Sequence, residues 1–244
     1  MSDLLRIGVI LPETMGAYGD GGNAVVLAKR LEKRGFGSEV VTVHVGEEVP
    51  ATLDFYLLGG SEDAAQALAA EQLKGSRAMR EAVEAGAVVL AVCAGFEVLG
   101  EWYEDADGRR VEGASLLDVR TTFGEQRLVG ELASKPLVAG LGEHLTGFEN
   151  HLGRTQLGAD AQPLGSVLHG HGNGVLEGEH LVDGAVAGRV FATYMHGPVL
   201  ARNPEFADHL ISLATGVEAL EPIDSAATAL LRKQRLEASG ISPN

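Results

Sequence analysis

The chain has one cysteine in 244 residues, so no disulfide can form within it. It also lacks a long apolar run at its start. In "MSDLLRIGVILPETMG" the apolar stretch is stopped by Pro12, with neither a leader-cleavage pattern nor enough length to span a bilayer. These absences make the reducing cytoplasm the expected location and give no expectation of a membrane span. Basic residues are scarce as well. Lys and Arg number 19 against 34 Asp and Glu, and a net charge of −15 argues against a nucleic-acid partner, which calls for a basic face. Nucleotide fingerprints are missing too: "YGDGGN" (18–23) has the glycines of a phosphate loop without the Lys and Ser/Thr of G-x-x-x-x-G-K-[ST], and no G-x-G-x-x-G follows the first strand. No cofactor and no metal are expected in this chain, and any ATP-dependent step belongs elsewhere.

With 45% hydrophobic and 22% charged residues, the composition is that of a globular protein. The first hundred residues alternate strand and helix. "RIGVIL" (6–11), "SEVVTVHV" (38–45), "LDFYLLGG" (53–60) and the run Ala87 to Val92 read as strands. Between them lie "GGNAVVLAKRLEKRG", "SEDAAQALAAEQL" with Ser61 as N-cap, and "SRAMREAVEAG" as helices. That alternation implies a parallel sheet with helices on both faces. Beyond Trp102 the texture changes: "EDADGRR" reads as a hairpin turn, and short runs such as "SLLDVRTTF", "RLVGELA" and "RVFATYMHG" are separated by glycines. "NPEFADHLISLATG", capped by Asn203, and "SAATALLRKQRLEASG" read as closing helices. With no repeat, low-complexity tract or linker, one domain over 1–244 is expected, its core about 6–215 with a helical extension over about 216–244.

"AVVLAVCAGFEVLG" (87–100) ends a buried strand directly at Cys93, with small Ala94 and Gly95 following. In open α/β sheets ligands collect beyond the carboxyl ends of the strands, and a tight strand-to-helix turn there lifts a nucleophile out of the sheet. The helix start is expected to lower the thiol pKa. A base is needed, and His196 in "FATYMHGPVL" follows a second apolar run, so it can stand beside Cys93. His169 and His171 in "LHGHGNG" read as an exposed loop rather than a metal pair, and His151 in "GFENHLGRTQ" is a candidate pocket residue. Oxyanion donors are expected from the backbone N–H groups of Ala94 and of Gly60, in the pair Gly59-Gly60 ending the neighbouring strand.

"VCAGFEVLG", "LLGGSEDAAQ", "GFENHLGRT" and "YMHGP" occur in the order and at about the spacing of the class I glutamine amidotransferases of the cobyric-acid-synthase type, which the chain resembles over about residues 6–215. "YGDGGN", "GASLLDVRT" and "RLVGEL" narrow the likeness to the glutaminase subunits of lipid II isoglutaminyl synthases. The resemblance implies an α/β sandwich with a mostly parallel central sheet, helices on both faces and extra short antiparallel strands. It implies Cys93 as nucleophile, His196 as general base and acid, and Arg127 as the grip on the glutamine α-carboxylate; on its own Arg127 reads as an exposed strand charge. It further implies a heterodimer with a Mur-ligase-like subunit of the MurT type. That partner, holding ATP and Mg²⁺, uses the ammonia to amidate the α-carboxyl of D-glutamate in the lipid II stem peptide. Two departures stand out. His196 is followed by Gly197 and Pro198, without the His-x-Glu carboxylate, so an acid from the partner is expected to complete the site; and Glu97 occupies a position where Gln is common. Competing readings are an amidotransferase of corrin-ring synthesis, a non-catalytic scaffold for a ligase and a cysteine peptidase.

Overall fold

The computed structural model describes residues 4–218, 220–223 and 226–241. In chain order the strands are β1 (Leu5–Ile10), β2 (Ser38–Val43), β3 (Phe55–Leu58), β4 (Val88–Val92), β5 (Trp102–Glu104), β6 (Arg110–Glu112), β7 (Val119–Pro136), β8 (Leu145–Leu157), β9 (Gly165–His169), β10 (Leu176–Glu177), β11 (His180–Asp183), β12 (Ala185–Ala187) and β13 (Val190–Thr193). The helices are α1 (Pro12–Met15), α2 (Gly22–Lys33), α3 (Asp63–Leu73), α4 (Arg77–Glu84), α5 (Ala94–Leu99), α6 (Val199–Arg202), α7 (Pro204–Thr215) and α8 (Ala226–Ala238).

Two sheets result. The first has the order β12-β13-β4-β3-β1-β2, parallel throughout except for the antiparallel edge pair β12–β13. Every residue of β3, β4 and β13 is buried, which is why these strands read as unbroken apolar runs: helices cover both faces. Phe55, Tyr56, Val89, Leu90 and Phe191 are each no more than 1% exposed, and burial of each such side chain is worth about 1.5–3 kcal/mol. The edge strand β2 is largely exposed on one side, matching its mixed sequence.

The second sheet is the expected set of antiparallel strands, most of them short, with two long ones, β7 and β8. It has seven strands, β10-β11-β9-β7-β5-β6 with β8 also on β7, and all its pairings but β5–β7 are antiparallel. "SLLDVRTTF" and "RLVGELA" flow into one 18-residue strand, β7. The interruption suggested by Gly124 is a register shift between Phe123 and Leu128, a bulge that keeps the strand continuous while re-aiming Arg127. Ser61 is a second correction. The helix begins at Asp63 with Glu62 at the N-cap, because the Ser61 hydroxyl donates to the Thr14 carbonyl at 2.5 Å instead. Asn203 does precede α7, and its side chain ties the main chain of Thr146 in β8 to that helix.

Candidate functional site

Four chain segments converge beyond the carboxyl ends of β1, β3, β4 and β13. Cys93 follows β4 directly, at the N-cap of α5, with φ 54° and ψ −113°. A β-carbon in that left-handed region costs about 1–3 kcal/mol and persists only where the surroundings enforce it. Here the Cys93 N–H donates to Thr193 O of β13 at 2.9 Å, and Gly95 N–H donates to Gly59 O at 3.1 Å. Gly95 tolerates no side chain, since a Cβ would lie 2.9 Å from the Leu58 Cβ and 3.0 Å from Gly59 O. The corner anticipated from sequence therefore forms.

Its electrostatics run opposite to expectation. Burial pushes the Cys93 thiol well above its ordinary value, and the Glu97 and Asp20 carboxylates push the same way. The Ala94 N–H and Arg127 pull it down but do not prevail. A helix of six residues offers little dipole against the loss of water. The thiol is 5% exposed, and its Sγ lies 4.0 Å from the Asn150 carbonyl.

His196 lies three residues beyond β13, the strand beside β4. Its main chain is clamped to β8 by a two-bond bridge, His196 N–H to Phe148 O at 2.9 Å and Phe148 N–H to His196 O at 3.1 Å. The imidazole is 3% exposed, with Nδ1 2.8 Å from Asp20 Oδ2 and the Tyr18 ring 4.8 Å away, tilted across it. Nε2 is buried and has no hydrogen-bond partner, so the thiol and the imidazole stand on adjacent strand ends without a bond between them.

Gly60 is placed differently from its expected role. Its N–H donates to Asp20 Oδ2 at 3.0 Å and is not free to face an oxyanion. The absence of a side chain there serves the imidazole, because a Cβ would sit 2.9 Å from His196 Cε1. Ala94, by contrast, has its N–H directed at the sulfur.

The cleft beside Cys93 is walled by the second sheet. It holds about 50 Å³, with Tyr18 and Arg127 among its lining residues, small against the ~300 Å³ or more usual for ligand pockets. Arg127 reaches in from the bulge and donates to Asn150 Oδ1 at 3.1 Å. Opposite, Glu97 accepts from Gln66 Nε2 at 2.7 Å and from Tyr194 OH at 3.0 Å, and Tyr194 OH is 2.6 Å from Thr155 Oγ1. Gly153 is required by this packing: a Cβ would meet Glu97 Oε1 at 2.2 Å and Tyr194 OH at 2.5 Å. His151 lines the same cleft and stacks on Tyr194 at 3.7 Å.

Behind it, Glu149 is buried. Burial alone would raise its carboxyl, but hydrogen bonds with His151 and His171 and from Gly172 N–H hold it below the ordinary carboxylate value. His171 thus has an acidic partner, Nδ1 to Glu149 Oε1 at 2.9 Å, that its own stretch of sequence does not show. A larger cavity of about 870 Å³ lies between α7 and α8, where Arg232 donates to Asn203 Oδ1 at 3.2 Å. Ser212, Thr228 and Lys233 line it but no thiol does, so size and chemistry part company, and the small cleft that holds Cys93 is the candidate site. Sequence reasoning missed Asp20, Tyr18 and Asn150. An acid framed by glycines in the first β-to-α connection of a doubly wound sheet was the available signal for Asp20.

Residues 6–204 match the family model of the CobB/CobQ-like glutamine amidotransferase domain. The chain is 34% identical over 213 residues to the GatD subunit of lipid II isoglutaminyl synthase (glutamine-hydrolyzing) from Streptococcus pneumoniae, covering 86% of this chain and 80% of that one. It is 33% identical over 188 residues to cobyric acid synthase from Brucella canis, covering 74% of this chain and 36% of that one. A crystal structure of a glutamine amidotransferase superposes with a TM-score of 0.53 at 20% identity, over 86% of this chain and all of the other, a likeness of fold.

Proposed function

The chain belongs to the CobB/CobQ-like glutamine amidotransferases, within them to the GatD subunits, and from that premise we propose that it is the glutaminase of a two-subunit lipid II isoglutaminyl synthase. The observation that carries the reading is that Cys93 and His196 follow neighbouring parallel strands, and that Cys93 lines a cleft which Arg127 enters. Free L-glutamine binds with its α-carboxylate on the Arg127 guanidinium, whose fork matches a carboxylate. The Cys93 thiolate attacks the side-chain amide carbon, and the Ala94 N–H takes up the developing oxyanion. His196 accepts the thiol proton and returns it to the departing ammonia. Water, deprotonated by His196, then cleaves the thioester to give glutamate and the free thiol. Because the thiol at rest is held protonated by burial, closure of Nε2 onto sulfur accompanies substrate binding.

The ammonia passes to a Mur-ligase-like partner of the MurT type, in a heterodimer, and amidates the α-carboxyl of D-glutamate in the lipid II stem peptide. ATP and Mg²⁺ act in that partner; this chain holds neither. The whole chain acts as one amidotransferase domain, its core at about 6–215, with α8 in the extension. A corrin-amidating role is the weaker reading, since the match spans only 36% of the cobyric acid synthase but 80% of the GatD subunit. Mixing the chain with its ligase partner, lipid II, ATP and glutamine tests the proposal: amidated lipid II with stoichiometric glutamate is the expected result. A Cys93→Ser chain that supports the same glutamine-dependent amidation would leave only the scaffold reading.

A further inference from the structure

We propose that Arg232, on the last helix α8, is a positioning residue for His196, and that α8 is the strap which carries it. The proposal rests on the glutaminase reading, in which His196 moves the protons. The matched family domain ends at residue 204, and α8 lies beyond it. Apolar packing does little to hold this helix. Within α8 only Leu236 is buried, Leu230 and Leu231 are 55% and 53% exposed, and the cavity of about 870 Å³ lies between α8 and α7. Arg34 ties the connection that precedes it, donating to Glu221 O at 3.0 Å. The helix itself is gripped through one guanidinium. Arg232 donates to Arg202 O at 3.1 Å, to Asn203 Oδ1 at 3.2 Å and to His144 O, and its Nε pairs with Glu143 Oε2 at 3.0 Å. Its side chain is 12% exposed, so these charge-assisted bonds meet little competition from water.

The groups that Arg232 grips lead to the backbone that carries His196. Asn203 is 1% exposed and uses both ends of its side-chain amide. Its Oδ1 also accepts from Thr146 N–H at 2.8 Å, and its Nδ2 donates to Thr146 O and to Val199 O, both at 2.8 Å. Thr146 stands two residues before Phe148, whose main chain makes the two-bond bridge to His196, and Val199 stands three residues after His196. Both segments that bear on the imidazole therefore run back to Asn203. A guanidinium has donors only, so the amide oxygen must face Arg232, which turns the amide nitrogen onto Thr146 and Val199. His144 O and Glu143 anchor the same guanidinium just before β8 begins. Without Arg232 the start of β8 and the turn after His196 lose their common fixed point, and the imidazole loses its fixed place over the cleft.

The test compares wild type with Arg232→Ala, Arg232→Lys and Leu236→Ala, each as the full chain mixed with the ligase partner. Leu236→Ala is the control that loosens α8 without touching its guanidinium. Three readouts apply: steady-state glutaminase kinetics, the ¹⁵N spectrum of the His196 ring, and recovery on adding guanidinium ion at a non-denaturing concentration. For Arg232→Ala the expected result is a kcat lowered about 10–100-fold, the scale on which a remote change misplaces a catalytic group. KM for glutamine stays within about threefold, the His196 ring signals shift, and guanidinium ion returns part of kcat. Arg232→Lys stays slow, because a point charge does not reproduce the fork; it keeps charge and bulk, and so decides the question if the alanine chain is unstable. Leu236→Ala lowers the thermal midpoint with kcat near wild type. Wild-type kcat and unshifted His196 signals in both Arg232 variants overturn the proposal. So does a loss that guanidinium does not reverse, or one that Leu236→Ala matches, either of which makes α8 a brace for stability alone. The spectrum needs no turnover, so a wild type inactive on glutamine refutes the glutaminase reading while the hold of Arg232 on His196 is still decided.

Discussion

The two sheets contribute to the cleft in different ways. The parallel sheet delivers its groups from strand ends: Cys93 after β4, His196 after β13, Gly60 after β3 and Asp20 from the connection that follows β1. The antiparallel sheet delivers from within its strands, Asn150, His151 and Gly153 from β8 and Arg127 from a bulge in β7. Strand ends place side chains where backbone N–H groups and helix starts are unpaired and water is scarce, which suits bond making. Mid-strand positions fix direction with a period of two and suit the shaping of a wall. On the proposed glutaminase reading, reactivity and substrate fit are thus divided between the sheets, which meet along the Phe148–His196 bridge.

Substitutions on either side sharpen that division. The largest effect is expected on the parallel side: Cys93→Ser lowers glutamine turnover by at least ~10³-fold, while the complex still amidates lipid II from ammonium salts. Loss of both activities would place Cys93 outside the glutaminase step. On the antiparallel side, Arg127→Ala should raise KM for glutamine about 10–100-fold, the worth of one charged hydrogen-bond pair, with kcat nearly kept. A drop confined to kcat would move Arg127 from wall to chemistry. Gly153→Ala pushes a methyl into Glu97 and Tyr194 and should cost roughly 1–3 kcal/mol of overpacking, read as a lower thermal midpoint. An unchanged midpoint would mean that the wall yields.

The smallest effect on turnover belongs to Asp183, which joins the sheets by accepting from Thr193 Oγ1 at 2.5 Å and Tyr194 N–H at 3.1 Å. Burial raises its carboxyl to about 7. Because that lies above the unfolded value, folding takes up a proton between the two, so the stabilising contribution is complete in acid and is lost as pH rises through about 7. Asp183→Asn should flatten this part of the stability-against-pH curve in denaturant titrations and leave turnover nearly unaltered. A slope identical to wild type would remove Asp183 as its source.

The same division explains what the sequence disclosed. β3 and β4, buried on both faces, announce themselves as apolar runs, and the thiol at the end of one needs no further context. His196 and the Gly59-Gly60 pair follow by the same logic. The antiparallel sheet is harder to read because glycines inside it look like breaks: Gly124 and Gly130 divide on paper what β7 joins in space. Asp20 was hidden for another reason. Its contact with His196 spans 176 residues, so the glycines that frame the acid mark its place in the first connection without naming its partner. The lowered thiol pKa expected for Cys93 failed because a motif shows the helix start but not the burial around it.

Cys93 is the sole sulfhydryl of the chain, so an electrophilic probe has one address, and whole-protein mass counts occupied sites directly. Labelling speed then becomes a gauge of how far the cleft has opened, measured without any turnover and comparable between the free subunit and its assembled form.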